Sequence, residues 1–342
     1  MNRNDTNSKK SMIQNIKNFK IYLNERFPLG KNSFFVLIFT LSGYIYTSLL
    51  YNSKIMHPFY VKGIRVPMSF YRIVPLFIII FMFFLQLRIT DEFKDYEEDL
   101  KYRAYRPVQR GIISLKTLGK IGIATVITQI ILAHVIDPEI IYFMIFVWIY
   151  MFLMAKEFFI KKWLTKRILI YALSHVVIMV FITLVIVEST RYIVPKNIFD
   201  VFILQRYKHN IDIALIPLFA LNYLNGIVLE IGRKTRRADE EEHGVQTYSK
   251  LWGKKKAVVI LSLLFVIEYF LVILGLAHTY EKYFFFGGLT LLVILVVSIY
   301  FMIKFLKKDL SGKIVESVSG LWIIFSSMGM GLLPYFIFSL IR

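Results

Sequence analysis

The sequence predicts an all-α polytopic membrane protein, a bundle of nine transmembrane helices, and three observations carry that prediction. Hydrophobic residues make up 57% of the 342 positions and collect in long runs, and the mean hydropathy is +0.59. A water-soluble domain cannot bury so large an apolar surplus, so it must face lipid. Lys and Arg nevertheless outnumber Asp and Glu by 42 to 23, so the basic residues must gather in segments that leave the hydrocarbon. A nucleic-acid partner is the rival source of such basicity. No basic arm with interleaved aromatics stands apart from the apolar runs, and no nucleic acid is expected.

A bilayer core of about 30 Å needs roughly 17–25 mostly apolar residues per helix. Nine stretches qualify: residues 33–51, 70–87, 117–136, 139–154, 167–187, 212–229, 257–277, 283–305 and 320–341. The second and fourth are short as apolar runs and should borrow flanking amphipathic residues. Ahead of this domain, 33–342, residues 1–32 form a basic, polar segment without the pattern of a cleaved signal peptide. Within it Ile13, Ile16, Phe19 and Leu23 fall near one helical face, with Lys17, Lys20 and Arg26 around them. That fits either an interfacial helix on an anionic leaflet or a solvated tail. Lys and Arg divide 31 to 10 between the two sides of the nine spans, with Lys120 inside one. The asymmetry predicts a cytoplasmic N-terminus and an external C-terminus, most naturally in the plasma membrane. The absence of any cysteine excludes a disulfide framework, a thiolate nucleophile and Cys-ligated metal.

Chemistry is expected in the two long loops that hold most of the acidic residues. After the second span come Asp91, Asp95 and Asp99. The i, i+4, i+8 spacing turns only about 40° per step on an α-helix, so three carboxylates should line one face. Left alone they repel one another. A hard cation such as Mg²⁺ removes that penalty, and it characteristically takes one or two carboxylates together with phosphate oxygens and water. Arg103, Arg106 and Arg110 follow within reach of a phosphate so bound, with guanidinium groups suited to bidentate contact. The plainer reading is a solvated, charge-rich loop.

These residues resemble the UbiA superfamily of membrane-embedded prenyltransferases. Thr90-Asp91 through Asp99, then Arg106-Pro107-Val108-Gln109-Arg110-Gly111, is similar to that family's first signature, with Thr90 where the family has Asn. Arg26-Phe-Pro28-Leu-Gly30 is similar to its entry into the first span, and Gly244-Val-Gln-Thr247 through Gly253 to the tail of its second signature. The second acidic row departs from the pattern. Counting back from Gly244 places Glu240 and Arg236 at the acidic positions. Counting along the helix places Asn222, Gly226 and Glu230 there, with Arg233 on the same face, and this frame is preferred. Either frame is poorer in carboxylates and richer in Arg than the family pattern.

The resemblance implies a Mg²⁺-dependent transfer of an isoprenoid chain from a prenyl diphosphate to an acceptor, aromatic or lipid, that the residues do not identify. It implies Asp91, Asp95 and Asp99 as catalytic metal ligands. Arg103, Arg106, Asn222, Glu230, Arg233 and Lys156, which ends the fourth span beside Glu157, would contact substrate. Glu268 is the most isolated intramembrane charge and has no evident partner, and the six histidines are read as structural. Two alternatives stay open. A cation permease would place ionisable residues in mid-span, whereas here only Lys120 and Glu268 lie well inside. A catalytically inactive assembly factor would accord with the degraded second signature.

Overall fold

The computed structural model describes residues 3–52, 70–191, 198–241, 246–279, 284–308 and 310–341, and among them there is no β-strand. Fifteen α-helices follow in order: α1 (Arg3–Arg26), α2 (Leu29–Asn52), α3 (Phe70–Lys94), α4 (Tyr96–Tyr102), α5 (Leu115–Ile136), α6 (Ile140–Ala155), α7 (Lys161–Leu164), α8 (Ile168–Val176), α9 (Ile178–Arg191), α10 (Ile198–Arg233), α11 (Tyr248–Trp252), α12 (Lys254–Thr279), α13 (Phe284–Lys307), α14 (Lys313–Met330) and α15 (Leu332–Ile341).

Seven spans among the described residues are long and apolar enough to cross a membrane: α2, α3, α5, α8 with α9, the part of α10 from Ile213, α12 and α13. The other two expected spans differ. The fourth is α6, apolar throughout but only 16 residues long. The ninth begins earlier than expected, is diluted by Ser and Gly residues, and breaks at Gly331 into α14 and α15. The break lies where α2 approaches most closely. A Cβ at position 331 would overlap the Ser42 carbonyl, a backbone atom that cannot move aside. We expect Gly331→Ala to lower unfolding stability by about 1–3 kcal/mol through overpacking, read as an earlier melting transition in detergent. An unchanged transition would show that α2 does not press on this turn.

In the bundle α2 packs against α3, α9 and α14 and makes further contacts with α10 and α12, so it is the central helix, whereas α5 and α13 present most of their surface outward. Lipid offers no hydrophobic drive for helix association, so close packing and buried hydrogen bonds must hold such contacts. Gln86 on α3 donates to Thr125 Oγ1 (2.9 Å) and Gln129 Oε1 (2.7 Å) on α5 and accepts from Trp148 Nε1 on α6 (3.2 Å). Asn222 Nδ2 donates to Thr183 Oγ1 (3.0 Å), tying α10 to α9. Ser326 Oγ donates to Asn225 Oδ1 (3.2 Å), tying α10 to α14. Glu268, without an evident partner in the sequence, accepts from the Trp322 indole N–H and so links α12 to α14.

The end of α1 packs against the segment that follows the second span. Tyr22 and Phe27 are buried against Leu85, Ile89, Val108, Ile113 and Leu118, with Phe19 and Leu23 packed alongside, while Ile16 remains exposed. Arg26 donates to the fully buried Glu92 (2.7 Å), which Arg88 also meets at 3.2 Å. The segment that carries the Asp row is thereby clamped from below by α1.

Candidate functional site

The Asp row straddles the end of α3. The i to i+4 backbone bonding persists through the bend at Asp95: its N–H donates to the Asp91 carbonyl (2.9 Å), and that of Asp99 to the Asp95 carbonyl (2.8 Å). The three side chains nonetheless have different fates. Asp91 is 44% exposed, with only long ion pairs to Arg88 (3.7 Å) and Lys94 (3.8 Å). Burial pushes the Asp95 carboxyl up to about 6, with Asp91, Asp99 and Glu98 adding to the effect and Lys94 opposing it. Asp99 is fully buried, and Arg103 (2.7 Å) and Arg106 both donate to it. No three Asp, Glu or His side chains among the described residues converge on one point that could hold a metal ion. The expectation of three equivalent ligands therefore reduces to a pair, Asp91 and Asp95. Two partly buried arginines already neutralise the third carboxylate, and bringing it to a metal would strip them of their partner.

That pair fits Mg²⁺. A cation between Asp91 and Asp95 would offset the charge cost and repulsion that raise Asp95, and one or two carboxylates are what Mg²⁺ takes when a phosphate completes its shell. Arg106 brings a buried, unpartnered Nε to the same neighbourhood, and burial together with Arg26 pulls its guanidinium below the usual range.

Beside the pair stands a cluster not expected from the sequence. Lys94 Nζ donates to the Tyr171 hydroxyl (2.6 Å) and lies 3.9 Å from Glu157 Oε1. The Tyr171 hydroxyl in turn lies 3.5 Å from that Glu157 oxygen. His175, one turn along α8, stacks on the Tyr171 ring at 3.9 Å. The imidazole feels the charges of Lys94, Asp91 and Glu230, so the ends of α3, α8 and α10 converge here. Glu157 opens a turn of three consecutive non-glycine residues in the left-handed region, with φ of 49°, 52° and 60° at Glu157, Phe158 and Phe159. The turn buries Glu157 and leaves Lys156 exposed.

The second candidate row is only partly assembled. Glu230 is held by Lys234 (2.6 Å) and Arg233 (2.9 Å), and the Arg233 side chain is half exposed. Asn222 is buried between α9 and α10 and spends its amide on Thr183. Gly226 sits where α10 crowds Val176, the residue after His175. In the other frame Glu240 accepts from the Gly312 N–H (2.7 Å) and Arg236 pairs with Glu316 (3.1 Å), so both are tied to the start of α14. Gly244 lies outside the described residues. Thr247 caps α11, accepting from Lys250 N–H, and donates to Glu241.

Of the residues missed, Tyr171 and His175 had a signal: an i, i+4 pair at the basic end of a span. Glu157 had none, because its burial depends on the left-handed turn.

A helical membrane bundle whose carboxylates and arginines meet at one end is the class of protein this structure defines. The sequence profile of the UbiA prenyltransferase family matches residues 37–312, and the chain belongs to that family. At the family level it is a membrane prenyltransferase. Its fold is similar to that of a digeranylgeranylglyceryl phosphate synthase, with a TM-score of 0.50, 18% identity, and 93% of this chain and 99% of that chain covered. It is also similar to the apo structure of a UbiA homolog from Aeropyrum pernix K1, with a TM-score of 0.58, 12% identity, and 86% and 96% covered. No curated protein matches the chain.

Proposed function

We propose that the chain transfers an isoprenoid group from a prenyl diphosphate to an acceptor held in the membrane, with Mg²⁺ on Asp91 and Asp95. The observation that carries this reading is the pair itself: two carboxylates at the end of α3, one half-exposed and one whose carboxyl burial pushes up to about 6, beside Lys94. Mg²⁺ bound there supplies Lewis-acid neutralisation of a diphosphate leaving group. The chain's own residues do the rest. Asp99 holds Arg103 and Arg106 toward the same end of the bundle, where guanidinium groups orient phosphate oxygens. Arg233 and Lys234 offer further positive charge from α10, so diphosphate is gripped there by cations of the chain rather than by a second carboxylate row. The apolar walls of the bundle keep water from the allylic carbon as its bond to oxygen breaks.

The test is incubation of purified protein with Mg²⁺, labelled farnesyl or geranylgeranyl diphosphate and a membrane extract as acceptor source. Diphosphate release accompanied by a labelled lipid supports the proposal, and label retained as unreacted donor contradicts it. A permease is the weaker reading because the mid-span Glu268, which a cargo ion would need, already accepts from Trp322 through one of its oxygens.

We further propose that the Asp-row end faces the cytoplasm of a plasma-membrane protein. Single cysteines in this Cys-free chain test that orientation. Cys at position 102 or 240 should resist a membrane-impermeant maleimide in intact cells and react after permeabilisation. Reaction in intact cells would reverse the topology.

A further inference from the structure

The cluster beside the Asp pair contains two polar atoms that the chain itself leaves unused. Glu157 Oε2 and His175 Nε2 are buried without hydrogen-bond partners, and they face each other across 3.9 Å. A buried acceptor left unmade costs about 1–3 kcal/mol, so a facing pair of them calls for an occupant. The histidine tautomer follows from its other nitrogen. His175 Nδ1 lies 2.8 Å from the Tyr171 carbonyl oxygen, which can only accept, so Nδ1 carries a proton and in the neutral ring Nε2 presents a bare lone pair. The ring is fixed between Tyr171, stacked at 3.9 Å, and Phe158, edge-on at 5.7 Å.

The aim of Glu157 is equally fixed. Its other carboxylate oxygen meets Lys94 (3.9 Å) and the Tyr171 hydroxyl (3.5 Å). The turn that delivers it holds three successive side-chain-bearing residues at positive φ, a conformation that costs of order 1–3 kcal/mol per residue and clusters at functional sites. Frame and strain thus hold two unpartnered atoms side by side, so that an oxygen seated against both, off the line between them, could donate its proton to one.

We propose that this gap receives the hydroxyl group of the acceptor substrate, so that His175 is its proton acceptor and Glu157 the positioning residue behind it. The inference rests on the prenyl-transfer reading above and narrows the acceptor to compounds that react through an O–H group. The step balances. The allylic C–O bond of the donor breaks and its electron pair leaves with diphosphate. A lone pair of the acceptor oxygen forms the new C–O bond, and the hydroxyl proton passes to His175 Nε2. The resulting imidazolium is stabilised by Glu157 and sheds its proton to solvent or diphosphate before the next turnover. The charged and titratable groups facing the ring are Lys94 and Asp91 from α3, Glu157 from the strained turn, Tyr171 from its own helix and Glu230 from α10.

The experiment has two arms, on the full chain in lipid nanodiscs. In the first, ¹⁵N-histidine NMR follows His175, assigned by its loss in His175→Gln or by elimination from variants of the other five histidines. The expected spectrum is neutral with Nδ1 protonated. 1-Octanol should shift the Nε2 resonance and 1-methoxyoctane, which lacks the hydroxyl, should not. Glu157→Gln should lower the pH at which the ring titrates by about one unit or more. Protonated Nε2, equal shifts by both probes, or no shift from either would overturn the proposal, the last leaving only a bridging water in the gap. In the second arm, labelled geranylgeranyl diphosphate and Mg²⁺ are offered with a membrane lipid extract, native or with its hydroxyls acetylated. Transfer should need the native extract. His175→Gln should reduce it roughly 10²- to 10⁴-fold, with donor binding within twofold of wild type. Transfer to the acetylated extract, or wild-type turnover in His175→Gln, would also overturn it. Failure of the wild type to release diphosphate with any acceptor would instead sink the prenyl-transfer reading, and the octanol arm would still decide whether the gap takes a hydroxyl.

Discussion

Asp95→Asn is expected to keep the fold and lower prenyl-transfer turnover about 100- to 1000-fold, the loss typical when one electrostatic stabiliser of a leaving group is removed. The fold survives because Asp95 has no side-chain capping bond at the start of α4, so its carboxylate contributes charge rather than structure. A pH signature accompanies the loss. With the Asp95 carboxyl raised to about 6, Mg²⁺ must displace a proton below that pH, so the Mg²⁺ concentration for half-maximal rate should climb as pH falls through 6. Wild-type turnover in the Asn variant, or a Mg²⁺ requirement flat between pH 5 and 7, would remove Asp95 from the site.

Asp99→Ala is expected to behave differently from its two neighbours in the row. The residue is fully buried and takes both Arg103 and Arg106. Removing one member of a buried ion pair leaves uncompensated charge at a cost of about 3–5 kcal/mol. The side chains of the two arginines are 17% and 16% exposed, so solvent relieves little of it. Thermal unfolding in detergent should therefore fall sharply for Asp99→Ala while Asp91→Ala stays near wild type. Equal stability of the two variants, with equal loss of Mg²⁺ dependence, would restore the picture of three equivalent ligands.

That contrast marks how far the sequence could be read. Period and composition located the spans because each must hide its backbone from lipid over a known thickness, and the Asp spacing correctly put three carboxylates in one register through the end of α3. What spacing could not carry was their separate environments. Whether Asp99 meets a metal or two arginines depends on how the segment after Tyr102 folds back and on α1 packing beneath it, and neither leaves a periodic mark. The partner of Glu268 leaves no mark in the sequence because Trp322 lies on another helix and follows it by 54 positions. The spacing of the histidines along the chain fits no ligand motif, and His175 takes its place through tertiary contact with Tyr171 and Glu157. The left-handed turn at residues 157–159 was the least legible feature, since ordinary side-chain-bearing residues rarely adopt that backbone and nothing in Glu-Phe-Phe announces it.

The central claim is that Asp91 and Asp95 hold Mg²⁺ against a prenyl diphosphate. The most direct test measures ³²P-diphosphate released from β-labelled geranylgeranyl diphosphate by the purified wild type, by Asp91→Asn and by Asp95→Asn, first with EDTA and then during back-titration with Mg²⁺. The account predicts no release under EDTA, full recovery for the wild type on adding Mg²⁺, and a displaced or absent recovery for both variants. Release by the wild type in excess EDTA, or recovery curves that coincide for all three proteins, would contradict it.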